Sequence, residues 1–149
     1  MECCSKKMIM KNILKSFFLG LLILLLANCS PTNRVSENIN RKWMLVEFQD
    51  FTKEFLIQKG ANLDLSTKNQ YSANMGCNRM FMKADFKADG AVIFSQIGST
   101  MMFCDDAMTL EDAFGKALPA VTGYKTEGHF LTLTSKDGST MKFVAADWD

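Results

Sequence analysis

The sequence predicts an α+β fold, an antiparallel meander of about eight strands forming a small barrel-like sheet with one packed helix. Three observations carry that expectation. From Arg41 onward, short apolar segments alternate with polar or glycine-bearing turns, the pattern of antiparallel strands. Arg79 to Phe86 keeps a period of two, with Met80, Met82, Ala84 and Phe86 on one face and Arg79, Lys83 and Asp85 on the other. The period then changes once, where Leu110, Phe114, Ala117, Leu118 and Val121 recur at helical spacing.

The elements follow in order. Trp43 to Phe48 is the first strand. Asn62 to Ser66 and Gln70 to Met75 come next, separated by the polar Thr67-Lys68-Asn69. Arg79 to Phe86 is the fourth strand, with Phe81 as the apolar exception on its wet face. Asp89-Gly90 turns it into Ala91 to Ile97, because glycine supplies the positive φ a tight hairpin needs. Thr109 is placed to cap the helix, Glu111 and Asp112 suit its positive dipole end, and Pro119 stops it near Leu118. Tyr124 to Thr126, His129 to Thr134 and Thr140 to Ala145 complete the sheet, joined at Glu127-Gly128 and Asp137-Gly138.

The N-terminal part reads as an address. Lys6, Lys7, Lys11 and Lys15 precede Phe17 to Ala27, an apolar run of 11 residues that falls well short of the ~20 needed to span a bilayer. The run ends in Leu26-Ala27-Asn28-Cys29, the form of a lipoprotein export signal. Residues 1–28 are then a leader, cut before Cys29, whose thiol and new amino group carry acyl chains such as palmitate. Residues 29–40 form the lipidated cysteine and a polar tether; Ser30 to Asn40 as a flexible coil spans about 18 Å. Residues 41–149 are the single folded domain. Ser30 after the lipidated cysteine suits onward transport, so the expected location is the cell envelope, at the periplasmic face of the outer membrane.

Charge and cysteines narrow the function classes. The leader carries four of the 17 basic and one of the 16 acidic residues, leaving 13 basic and 15 acidic, a formal charge of −2. The basic residues are scattered singly, which argues against nucleic-acid binding, since that affinity comes from clustered phosphate contacts. Of five cysteines, Cys3 and Cys4 precede the cut and Cys29 takes lipid. Cys77 and Cys104 remain as the pair in the exported domain, and an oxidising compartment makes them a disulfide. Closing that loop of about 28 residues stabilises the fold by about 3–4 kcal/mol in the chain-entropy model.

Gly76-Cys77-Asn78-Arg79, Ser99-Thr100-Met101-Met102-Phe103-Cys104, Leu110-Glu111-x-x-Phe114 and the closing Leu131-Thr132-Leu133 together resemble the META domain, the HslJ-like family of small bacterial envelope lipoproteins. The resemblance covers residues 41–149. It implies a compact barrel-like α+β fold, residence outside the cytoplasm and an association with heat shock and antibiotic tolerance, without enzymatic activity. Two positions depart from the family pattern, Met82 where a glycine is common and Phe103 where a small residue is common.

Cys77 beside Asn78 invites a thiol nucleophile, hence an envelope hydrolase or thiol-redox enzyme as the rival function. A general base must lie within hydrogen-bond reach, and His129, the single histidine, is expected at the start of a strand on the face of Leu131 and Leu133, partly buried. Asp105-Asp106 with Glu111 and Asp112 lacks the spacing of a calcium loop and reads as a helix start; no metal or cofactor is expected. Eleven methionines are many. Met80, Met82, Met101 and Met102 are the candidate ligand-facing residues, since methionine fills irregular cores and also lines adaptable apolar grooves. The expected partners are the membrane, through the acyl chains, and an apolar lipid-like ligand or another envelope protein.

Overall fold

In the computed structural model, residues 37–68 and 70–148 are described. The leader, Cys29 and the tether up to residue 36 lie outside them. Eight strands, β1 (Lys42–Phe48), β2 (Asn62–Asp64), β3 (Tyr71–Asn74), β4 (Arg79–Phe86), β5 (Val92–Ser99), β6 (Val121–Glu127), β7 (Phe130–Ser135) and β8 (Thr140–Ala145), are joined by two α-helices, α1 (Lys53–Gln58) and α2 (Met108–Ala117). All neighbouring strands are antiparallel. They form one sheet in the order β5-β4-β3-β2-β1-β8-β7-β6.

That order curls the sheet into a half-barrel whose two edges touch at one point. Ala91 and Gly123 form a bridge between them, the Tyr124 N–H donates to the Gly90 carbonyl at 2.7 Å, and the Tyr124 hydroxyl donates to the Lys87 carbonyl at 2.8 Å. Burial there, with Asp89 nearby, holds the Tyr124 phenol above its ordinary range. At that point the backbone groups of the two edges are satisfied by each other and not left open to another chain. Helix α2 spans the connection from β5 to β6 and packs its buried Leu110 and Phe114 onto the barrel, with the Phe114 ring edge-on to Phe48 at 6.1 Å.

Alternation explains most of the core, and bulges explain the rest. Trp43 and Leu45 of β1 point inward, but so does Phe48, because the register slips between Leu45 and Glu47 against β8. In β5, Val92 and Phe94 are buried; the register then shifts opposite Phe81 and Lys83, where Gln96 takes a φ of 51°, and Ile97 returns to the core. Trp43, Phe48, Phe114, Phe143, Leu45, Leu63 and Met82 are all fully buried. Side chains therefore fill the barrel interior; the surface groove at Lys42, Ser72 and Arg79 is polar and open, and the one at Gln49, Thr109 and Ser139 is open and mixed, lined also by Met108, Ala113 and Ala117.

Several expectations are corrected. The short α1, capped by the Thr52 side chain at the Phe55 N–H, has no counterpart in the sequence reading, because six residues give too little periodicity. Helix α2 starts after Ala107 with no side-chain cap. Thr109 lies inside its first turn, and the Cys104 carbonyl instead accepts the Ala107 and Met108 N–H groups at 3.1 and 3.2 Å. After Ala117 the chain tightens into a 3-10 turn, Leu118–Ala120, which accommodates Pro119. Val121 then opens β6 rather than closing the helical stripe. The folded body also takes in a 3-10 turn at Glu37–Ile39, read from sequence as tether; Ile39 is buried and its carbonyl receives the Trp43 indole N–H at 2.9 Å. Phe81 is only half-exposed, since the Arg79 guanidinium lies over its ring at 5.5 Å.

Strand ends gather at two rims. The N-terminal rim holds the start of β1, the β4–β5 hairpin, the β6–β7 turn and residues 146–148 after β8. The opposite rim holds α1, the β3–β4 turn, the β5–α2 loop and the β7–β8 turn.

Candidate functional site

The β3–β4 turn and the β5–α2 loop meet at the opposite rim, and the sequence explains how each is shaped. Asn74 accepts the Gly76 N–H on its side-chain oxygen at 2.7 Å, which bends the chain as it leaves β3. Gly76 has a φ of 106°, and a Cβ there would lie 3.0 Å from the Lys59 Cβ. Glycine is needed on both counts. The turn delivers Cys77, which is bonded to Cys104 across a sequence separation of 27.

Asn78 does the rest. The residue is 2% exposed; three of its side-chain hydrogen bonds go to the loop, and a fourth runs from Nδ2 to the Cys77 sulfur at 3.7 Å. Its Oδ1 accepts the Thr100 hydroxyl and the Met102 N–H, each at 2.7 Å. Its Nδ2 donates to the Met102 carbonyl at 2.9 Å. Its backbone N–H donates to Glu111 Oε2 at 2.8 Å, and Glu111 Oε1 accepts the Ser99 hydroxyl at 3.5 Å. Glu111 is buried in the first turn of α2, where the helix dipole favours a carboxylate. No buried side-chain N or O among the described residues lacks a partner. A fully satisfied buried network of this kind fixes one conformation.

The clamp holds Met101, Met102 and Phe103 outside the barrel. They are 98%, 57% and 81% exposed. Three consecutive large apolar side chains in water cost the chain hydration free energy that burial would recover, and the covalent and polar ties prevent their collapse. Asp105 and Asp106 follow, both exposed. Lys59 bonds to Asp106, and that hydrogen bond with its charge holds the Asp106 carboxyl below the usual carboxylate range.

The remaining candidate residues separate. Met80 and Met82 are buried core residues, and a Cβ on Gly115 of α2 would sit 3.4 Å from the Met80 Cε. Of the four methionines read as ligand-facing, Met101 and Met102 alone reach the surface. His129 is an exposed turn residue, not the first inward residue of β7, because Gly128 with a φ of 59° takes the turn with it. It stacks on Trp148 at 4.8 Å, on the rim away from Cys77, so thiol and imidazole are not brought together. Among the described residues, no group of three or more His, Cys, Asp or Glu is placed to hold a metal ion. Trp148 bears no sequence motif, and Phe103 stands out only as a departure from the family pattern. Glu111 reads from the sequence as a helix-dipole residue and part of the family motif, with nothing to mark its bond to Asn78, whereas Met101 and Met102 read as ligand-facing.

The META domain family model matches residues 36–148. The chain belongs to the META domain family. Solved structures share the fold. An NMR structure of a protein from Burkholderia xenovorans is 24% identical with a TM-score of 0.54, covering 73% of this chain and 83% of its own. A second protein solved by NMR is 16% identical, with a TM-score of 0.55 and coverage of 76% and 97%. A crystal structure of a DUF4847 family protein from Bacteroides vulgatus is 13% identical, with a TM-score of 0.53 and coverage of 74% and 95%. No curated protein matches the sequence. In this META domain, the motifs that carried the resemblance, Gly-Cys-Asn, Ser-Thr-Met-Met-x-Cys and Leu-Glu, are the two jaws of the clamp and the helix turn behind it.

Proposed function

We propose that this META domain is a non-enzymatic, lipid-anchored envelope protein that docks another envelope protein through the Met101-Met102-Phe103 loop, in the service of stress or antibiotic tolerance. The observation that carries the docking reading is the exposure of three apolar side chains on a loop pinned by Asn78, Glu111 and the Cys77–Cys104 bond. A rigid apolar projection binds with little ordering cost. Its chemistry specifies the partner: an apolar pocket for Met101 and Phe103, with a basic group facing Asp105. An apolar ligand inside the barrel is the weaker reading, because Trp43, Phe114, Phe143 and Met82 occupy that space. The tolerance role is supported by the family resemblance, and the anchor by the Leu26-Ala27-Asn28-Cys29 signal.

The test is complementation of a strain lacking the gene. Met101→Ser combined with Phe103→Ser should leave folding and membrane retention intact and abolish the tolerance phenotype. Full complementation by that variant contradicts the docking reading. Cys29→Ala should release the chain from membranes; unchanged retention rejects the anchor. The rival, an envelope hydrolase or thiol-redox enzyme, requires instead that Cys77→Ser abolish a turnover while leaving the melting temperature alone.

A further inference from the structure

We infer that the N-terminal rim of the barrel rests on a zwitterionic phospholipid surface, with Trp148 and its aromatic neighbours at the headgroup level. This rests on the lipid anchor proposed above. The first observation is an exposed aromatic cluster that the docking loop does not explain. Trp148 is 46% and Phe130 47% exposed. Trp148 stacks flat on His129 at 4.8 Å and meets Phe130 edge-on at 5.5 Å. Indole has an apolar body and an N–H, the combination that places tryptophan at membrane interfaces.

The second observation is where the cluster sits relative to the incoming chain. The Ala146 N–H donates to the Lys42 carbonyl at 2.9 Å, and Arg41 pairs with Asp147 at 3.4 Å, so Trp148 is tied beside the first strand. The stretch from Cys29 to Glu37 reaches at most about 29 Å when extended and about 16 Å as a coil. An acyl chain on Cys29 therefore joins the fold at this rim, where the chain enters β1, with a coil length shorter than the strand that separates the two rims.

Charge selects the surface. The ion pairs of this rim, Arg41 with Asp147, Lys125 with Glu127 and Lys87 with Asp85, each join opposite charges. Lys42 and Lys68, exposed at the same rim, stand outside these ion pairs but are offset by Asp64 and Asp89, so the rim is close to neutral and gains little from anionic lipid, whose attraction depends on excess lysine and arginine. The same geometry directs the Met101-Met102-Phe103 loop away from the bilayer, where a protein partner can reach it.

The experiment uses the full lipidated chain on phosphatidylcholine vesicles carrying a nitroxide at headgroup level, with flotation as a separate readout of the anchor. The two tryptophans divide the signal, since Trp43 is fully buried. The expected result is flotation, with a blue shift and quenching of emission that both disappear in Trp148→Phe. A chain that floats with its Trp148 emission neither shifted nor quenched overturns the inference while the anchor stands. A chain that does not float overturns the anchor and with it this inference. A shift that grows with protein density at fixed lipid assigns the cluster to a second copy of the chain, and overturns it too.

Discussion

The two rims are built differently. At the loop rim a disulfide, a buried asparagine, a buried glutamate and a left-handed glycine converge on one stretch of eight residues, Ser99 to Asp106. At the N-terminal rim, glycine turns such as Gly90 and Gly128, backbone bonds and surface ring stacking suffice. The difference follows from what each rim displays. Stacked rings shield one another, whereas Met101 and Phe103 have no such shelter and need internal ties to stay out. Cross-links and buried polar groups therefore mark the region whose conformation the sequence most strongly specifies.

The largest effect expected from breaking that contrast is at the disulfide. Cys77→Ser with Cys104→Ser should cost about 3–4 kcal/mol, more than about 12 °C in melting temperature for a domain of this size. Trp148→Ala on the other rim should cost less than about 1 kcal/mol by the same melt. A smaller loss follows from Asn78→Ala, about 2–3 kcal/mol, because the Met102 amide and carbonyl and the Thr100 hydroxyl lose their partners. Chemical denaturation should show it with an unchanged slope. Gly76→Ala should cost about 1–3 kcal/mol from strained backbone, while Gly128→Ala, with open space around it, should cost the lower part of that range. Equal losses at the two glycines would remove the contrast.

The smallest effects come from the exposed groups. Met101→Ser with Phe103→Ser should change stability by less than about 0.5 kcal/mol, with its consequence confined to function. Acid titration then compares the rims directly. Asp106 is held low by Lys59 and Asp64 by hydrogen bonds from the Ser66 hydroxyl and N–H. A carboxylate whose folded pKa is lowered contributes stability above its unfolded value and loses it as pH falls through the folded one. Asp64→Asn and Asp106→Asn should each flatten the acid limb of the stability curve below the ordinary carboxylate range. A limb unchanged in both variants contradicts the assignment.

Much of the fold was legible because alternation survives in short strands. Met80, Met82, Leu131, Leu133, Met141 and Phe143 all point inward as their spacing dictates. Phase slips were not legible. Nothing in Val-Glu-Phe or Ser-Gln-Ile tells that Phe48 and Ile97 re-enter the core, since a bulge needs only one residue that tolerates it, here Gln96. The candidate site was half legible. Cysteine counting and the family motif located both jaws, but the contact between Asn78 and Glu111 spans 33 positions and belongs to tertiary structure. Met80, Met82, Met101 and Met102 read alike as ligand-facing, yet the first two are core and the last two are exposed, because hydrophobicity carries no sign of whether a residue is folded in or held out.

Hydrogen exchange at the Met102 amide tests the clamp most directly. The account predicts strong protection of that amide in the oxidised full chain, abolished by Asn78→Ala, while amides at the start of β7, at the N-terminal rim, keep their rates. A Met102 amide that exchanges at the rate of an open loop in the unmodified protein would contradict it.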